Sequence, residues 1–172
     1  MNAIKSGLLV FAVFILLTSF YCQKKEDVSM STEENKALVR RLIEEAWNKG
    51  NLAVIDEILY PDYVLHIDAP GAINREGYKQ AVSMYRVAFP DFRFVIDDMI
   101  AEGEKVVIRA TMSGTQEGEF MGNAPTGKKL TMTAIAIRHL ENGKIVEEWV
   151  ETNMLGVLQQ MGVIPTPGQP AQ

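Results

Sequence analysis

The chain has 172 residues, 47% hydrophobic and 23% charged, with a net charge of −5 and a single cysteine. A lone Cys forms no internal disulfide, and an acidic balance with no basic cluster beyond Lys128-Lys129 argues against nucleic acid or anionic lipid headgroups as partners of the folded part. The averages join two unlike parts: Met1 to Cys22, where 16 of 22 residues are hydrophobic and Lys5 is the only charge, and a remainder of about 150 residues, room for one domain with one core.

In chain order the first element is a secretory leader. Lys5 forms a short charged region, Gly7 to Leu17 (GLLVFAVFILL) an apolar run, and Thr18-Ser19 leads toward Cys22. Eleven helical residues cover about 16 Å, short of a hydrocarbon core of about 30 Å. Continuing through Phe20 and Tyr21 approaches spanning length, so an uncleaved anchor is the alternative. The polar run Gln23-Lys24-Lys25-Glu26-Asp27 directly after Cys22 makes the segment resemble a bacterial lipoprotein signal, which implies a lipidated Cys22 as mature N-terminus. Ser19, Phe20 and Tyr21 depart from the Leu and small residues that such a box prefers. Both readings place the domain outside the cytoplasm, held to a membrane through its N-terminus. Residues 1–22 are then signal, 23–31 tether, 32–162 folded domain and 163–172 a Pro-rich tail expected to be disordered.

Ser31-Thr32-Glu33-Glu34 matches a capping box and opens a helix carrying Leu38, Val39, Leu42, Ile43, Ala46 and Trp47 at three and four spacing, ended by Gly50. A short helix is expected over Leu52 to Leu59 with Asn51 as cap, then a strand over Tyr63 to Asp68 and a turn at Ala69-Pro70-Gly71. A third amphipathic helix spans Arg75 to Phe89. Beyond Pro90 the period falls to two: Phe92, Phe94 and Ile96 alternate, then Val106, Ile108, Ala110 and Met112, with Arg109 on the opposite side. A glycine-rich connection, Gly114 to Gly127, leads into Leu130 to Leu140. Asn142-Gly143 signals a tight hairpin, Lys144 to Asn153 is the return strand, and Met154 to Met161 closes the domain. Three helices around one early strand, followed by a four-strand antiparallel meander, give an α+β layout.

The chemistry is restricted. Two histidines, no Cys/His pairs and no dense carboxylate loop make a metal site unexpected. The glycines at 114, 118, 122 and 127 lie between strands rather than at a helix start, so no phosphate loop is present. Acid/base chemistry or binding in a cavity remains. On the return strand Glu147, Trp149, Glu151 and Asn153 share one face by period two, opposite Val146 and Val150. That face either is solvated, with Arg138 opposite Glu147 as an ion pair, or lines a semi-polar cavity. His66 and Asp68 share a face of the first strand and form a possible imidazole and carboxylate pair. Arg109 either binds an anionic ligand or caps a sheet surface.

FPDFRF (Phe89 to Phe94), AEGEKVVIRATMSGTQEGEFMGNAPTGKKLTM (Ala101 to Met132), ENGKIVEEW (Glu141 to Trp149) and LQQMG (Leu158 to Gly162), in that order, resemble the SnoaL-like polyketide cyclase family, or ester cyclases, of the nuclear transport factor 2-like superfamily. The resemblance implies a cone-shaped, curved antiparallel sheet wrapped by three N-terminal helices, the cystatin-like roll, around a pocket. It also implies a homodimer through sheet surfaces and an intramolecular aldol cyclisation with no cofactor. It favours the cavity for Trp149, Glu151 and Asn153; the ligand-binding residues expected on this reading of the chain are Trp149, Asp68, Arg109 and Trp47. The family's acid lies four positions after the return-strand tryptophan, where this chain has Asn153, which has no titratable proton near neutral pH. Glu151 could substitute if burial raises its pKa, and His66 matches a family histidine. A noncatalytic cup for a small molecule or a protein partner is the alternative function.

Overall fold

The structure, a computed structural model, describes residues 30–67, 71–166 and 168. The leader with Cys22, and Asp68, Ala69 and Pro70 of the expected turn, lie outside the described residues. No helix among the described residues is long and apolar enough to cross a membrane.

Helix α1, Thr32–Leu42, starts as its sequence dictates. Ser31 Oγ accepts from the Glu34 amide, and the Glu34 carboxylate accepts from the Ser31 amide at 2.8 Å. The last stretch, Ile43–Asn48, widens into a π-helix, a local change often found at functional sites. Asn48 clamps the neighbouring strand there, accepting from the Phe94 amide at 2.8 Å and donating to the Phe94 carbonyl at 3.1 Å. Arg86 donates to the carbonyls of Trp47 and Asn48 and so satisfies the end of the helix. Helix α2, Ala53–Ile58, is shorter than expected and has no side-chain cap, so Asn51 does not serve as one. Helix α3, Arg75–Ala88, is capped by Asn74 through the Gly77 amide.

The sheet contains six strands among the described residues: β1 (Leu59–His66), β2 (Ile73–Asn74), β3 (Arg93–Glu102), β4 (Lys105–Thr115), β5 (Lys129–Glu141) and β6 (Lys144–Thr152). Their spatial order is β2-β1-β6-β5-β4-β3. Strand β1 begins at Leu59 rather than Tyr63 and runs parallel to β6, with an irregularity between Leu59 and Val64 that accommodates Pro61. The remaining neighbours are antiparallel. At the β5-β6 hairpin Asn142 and Gly143 both have positive φ, as the sequence predicts. Helix α4, Met154–Met161, ends at Gly162 in the left-handed region.

Alternation along β5 divides the molecule. Leu130, Met132, Ala134, Ala136, Arg138 and Leu140 are buried, while Thr131, Thr133, Ile135 and Ile137 are exposed. The inner face meets the helices and forms one core with Val39, Leu42, Ile43, Val54, Ile55, Ile58 and Val82. The described residues place no helix over the middle of the outer face, where Ile135 and Ile137 remain exposed.

Candidate functional site

The interior holds two adjoining features. The first is a small, partly open apolar pocket with a cavity volume of about 20 Å³, lined mainly by Tyr85, Phe89, Phe92, Met112, Phe120, Leu130, Met132 and Val157. Four parts of the fold converge to make it: α3 and the turn after it, the sheet floor, the connection between β4 and β5, and α4. Phe120 caps the aromatic wall, with ring centroids 5.0 Å from both Tyr85 and Phe89. The connection holds its shape through Gln116, which is fully buried. Its amide donates to the carbonyls of Gly118, Asn123 and Ala124 and accepts from the Thr126 hydroxyl at 2.7 Å. Gly118 is required where the connection touches α3, because a Cβ there would lie 2.7 Å from the Val87 carbonyl oxygen. Burial pushes the Tyr85 phenol up to about 12, so the pocket's hydroxyl stays neutral.

The second feature is a polar cluster sealed in the core. Arg138 Nη2 and Glu148 Oε1 lie 2.6 Å apart, with 2% and 1% of the residues exposed. Tyr63 donates its hydroxyl to Glu148 Oε2 at 2.8 Å, and the Trp47 indole N–H donates to the Tyr78 hydroxyl at 2.7 Å. Burial first, then the Glu148 charge, drives the Tyr63 phenol well above its ordinary value, and burial does the same to Tyr78. Burial alone would weaken the Arg138 charge, but Glu148 and the two phenols more than offset it and raise its pKa. Arg138 Nε and Nη1 have no hydrogen-bond partner, a costly arrangement for buried donors unless a water or ligand oxygen meets them. Trp47 links cluster and pocket from behind the pocket lining: its ring packs edge-on to both Tyr78 and Tyr85, at 5.7 and 5.6 Å, and against Phe92 at 5.9 Å.

The residues expected at the site are distributed differently. Strand β6 carries an extra residue: Leu140 pairs with Ile145 but His139 pairs with Glu147, so Val146 forms a bulge. Ile145 and Glu148 both point inward as a result. The ion pair expected between Arg138 and Glu147 is instead Arg138 to Glu148, one residue along. Glu147, Trp149 and Glu151 face outward, which corrects the cavity reading of that face. Trp149 is 39% exposed and stacks on His66 at 5.3 Å. His66 Nε2 meets Glu147 Oε1 at 2.8 Å, so its described carboxylate partner is Glu147. Asp68 lies outside the described residues. Arg109 is also on the outer face, paired with Asp97 at 3.2 Å. Asn153 is exposed and caps α4, its Oδ1 accepting from the Gly156 amide at 3.0 Å. Among the expected ligand residues that the structure describes, Trp47 alone packs against pocket-lining side chains. No group of three or more His, Cys, Asp or Glu is placed to hold a metal ion among the described residues.

Sequence reasoning missed Glu148, Tyr63 and Phe120 as interior groups, whereas helical spacing puts Tyr78 on one side of its helix with Ala81, Val82 and Tyr85. A signal existed for one member of the cluster: Arg138 is the only charge on a period-two row that otherwise reads Leu130, Met132, Ala134, Ala136 and Leu140.

Comparison with known proteins agrees with this architecture. The family model described as SnoaL-like polyketide cyclase matches residues 37–161. AclR of Streptomyces galilaeus, provisionally assigned as a hydroxylase, is 29% identical, with a TM-score of 0.73 over 81% of this chain and 87% of that one. IdmH of Streptomyces antibioticus, provisionally assigned as a polyketide cyclase, is 31% identical, with a TM-score of 0.66 over 74% of this chain and 98% of that one. A SnoaL-like protein from Jannaschia sp. CCS1 is 25% identical, with a TM-score of 0.72 over 81% and 99%. No curated protein compared with the chain matches it. The chain belongs to the SnoaL-like polyketide cyclase family.

Proposed function

We propose that the protein holds a small, partly apolar molecule in the aromatic pocket, on a domain tethered to a membrane outside the cytoplasm. The observation that carries binding is the pocket lining: Tyr85, Phe89, Phe92 and Phe120 form a rigid aromatic wall, and its one phenol is a neutral hydrogen-bond group. Among the described residues no carboxylate or imidazole lines that pocket. The residue at the family's acid position, Asn153, is occupied as a helix cap. The cavity is smaller than a ring, so an aromatic or alicyclic ketone enters only if the side chains around it move apart.

One observation favours a second reading, cyclase- or isomerase-like proton transfer with no cofactor. Arg138 Nε and Nη1, beside the Tyr78 hydroxyl, would turn N–H groups toward a carbonyl oxygen and stabilise an enolate, with Glu148 and Tyr63 beside them as proton carriers. Reaching them requires the Trp47 ring to turn aside. The discriminating experiment presents the full chain with a panel of aromatic and alicyclic ketones. Native mass spectrometry reads retention, and NMR of the recovered compound reads deuterium exchange at the α-carbon. Retention abolished by Phe120→Asp, with no exchange, supports binding alone; exchange lost in a Glu148→Gln protein that keeps the native circular dichroism and still retains the ketone supports catalysis. A domain that retains none of the panel rejects both. The tether rests on the leader and Cys22 and has its own test: in the native host Cys22→Ser should abolish lipid modification of the precursor and release the protein from membranes. Unchanged mass and membrane association would leave the uncleaved anchor.

A further inference from the structure

Helix α4 forms one wall of the pocket through Val157 and packs on β5, burying Val157 and Met161. Its bonds to the rest of the domain are few and exposed. At its start the Asn153 amide donates to the Thr133 carbonyl at 3.0 Å, which continues the ladder between β6 and β5. Beyond that point β5 outruns its partner, because β6 ends at Thr152, opposite Ala134. The Gln160 side chain takes the place of a strand there. Its Oε1 accepts from the Thr131 amide and its Nε2 donates to the Thr131 carbonyl, both at 2.8 Å. Lys128 Nζ adds contacts of 3.3 Å to the Gln160 and Met161 carbonyls, the negative end of the helix. Residues after Met161, among those described, bond only to α4 and to one another. The connection between β4 and β5 is tied down differently, through buried Gln116 and through the Glu117 and Gly118 amides, which both donate to the Ala88 carbonyl.

We infer that α4 is the gate of the pocket, hinged at Asn153 and latched by Gln160. The inference rests on the reading of the aromatic pocket as a binding site and names the wall that yields to admit a molecule. A cavity of about 20 Å³ has room for about one water, so a ring enters only by displacing a wall. A rise of about 1.5 Å per residue puts Val157 about 6 Å, and Gln160 about 10 Å, along the helix from Asn153. A swing of about 30° carries Val157 outward by about 3 Å and Gln160 by about 5 Å, comparable with an aromatic ring's thickness of about 3.5 Å. The two latch bonds then break, but Gln160 and Thr131 are both exposed and exchange them for bonds to water, so the net loss is small. Moving the connection by the same amount would strip fully buried Gln116 of its partners, which costs far more. Val157 and Met161 lose apolar contact as the gate opens, and an apolar ring in the pocket restores part of it, so a ligand favours the open gate.

Labelling of a thiol inside the pocket tests the gate with no ligand present. Met132→Cys places that thiol on the pocket wall, and its alkylation by iodoacetamide in the full chain, read at that peptide by mass spectrometry, reports how often the pocket opens. Leu130→Cys gives the same reading should Met132→Cys fail to fold. Labelling should depend only weakly on urea, as local opening does, and adding Gln160→Ala should accelerate it at least tenfold with circular dichroism unchanged. Hydrogen exchange in Gln160→Ala should quicken across Met154 to Met161 and at Thr131, and stay as in the native protein from Gln116 to Gly127. Labelling indifferent to Gln160→Ala, labelling that appears only with global unfolding, or faster exchange in the connection in place of α4 would each overturn the gate. A domain that retains no ketone yet opens at α4 would reject the binding reading alone, and one that retains ketones while α4 stays shut would reject the gate alone.

Discussion

Neighbouring residues of β6 live under opposite rules. Glu148 points inward and is ionically paired, hydrogen-bonded to Tyr63 and shut away from water; Glu147 points outward to His66 with 36% of its side chain exposed. Inside, a charge persists only because a partner and a phenol compensate its lost hydration, and removing one member strands the others. Outside, water supplies most of what a partner would. The sheet therefore sorts identical chemistry into structural necessity on one face and adjustable surface on the other.

The largest effect expected is from breaking the inner pair alone. Glu148→Gln leaves the Arg138 charge uncompensated in the core and should cost about 3–5 kcal/mol in urea unfolding. The double substitution Arg138→Met with Glu148→Leu should recover to within about 1 kcal/mol of the native protein, since apolar residues of similar volume replace a buried pair with little net loss. A double variant as unstable as the single would mean that the pair itself contributes net stability. Alkaline unfolding tests the phenols around it. Tyr63, Tyr78 and Tyr85 all have folded pKa values raised mainly by burial. The folded state therefore keeps protons that the unfolded chain releases near pH 10, and stability is full below pH 10 and falls as pH rises toward 12 and beyond. Phenolate absorbance from these three tyrosines should appear together with loss of the fold, not ahead of it.

How much of this was readable beforehand depended on whether local chemistry or spatial convergence set it. The capping box at Ser31, the Asn142-Gly143 hairpin, the period-two strands and helix α4 are encoded within a few residues, and each is found where the sequence places it. The bulge at Val146 is different: one extra residue leaves no mark in composition, yet it turns Glu148 inward and carries Glu147, Trp149 and Glu151 to the outside. The start of β1 at Leu59 was hidden for a related reason, since Pro61 reads as a stop and only parallel pairing with β6 makes the segment a strand. Phe89, Phe92 and Phe120 meet through tertiary contacts that no spacing announces.

Asn153 is an intermediate case, an exposed residue with a defined bond. Asn153→Ala should cost about 1 kcal/mol through loss of the α4 cap, whereas Asn153→Asp keeps an acceptor at a helix N-terminus and should be neutral or slightly stabilising. The same Asp variant, screened for deuterium exchange into the ketone panel, asks whether a carboxylate at the family's acid position is enough to confer proton transfer. Exchange appearing only in Asn153→Asp would show that the native amide is what withholds it.

The smallest effect is expected one residue from the largest. Glu147→Gln removes one partner of an ion pair whose two side chains are 41% and 36% exposed, and such pairs contribute about 0–1 kcal/mol. Unfolding of dilute protein should shift by less than about 0.5 kcal/mol, roughly a tenth of the Glu148→Gln loss, because His66 keeps its stacking on Trp149 and both groups already meet water.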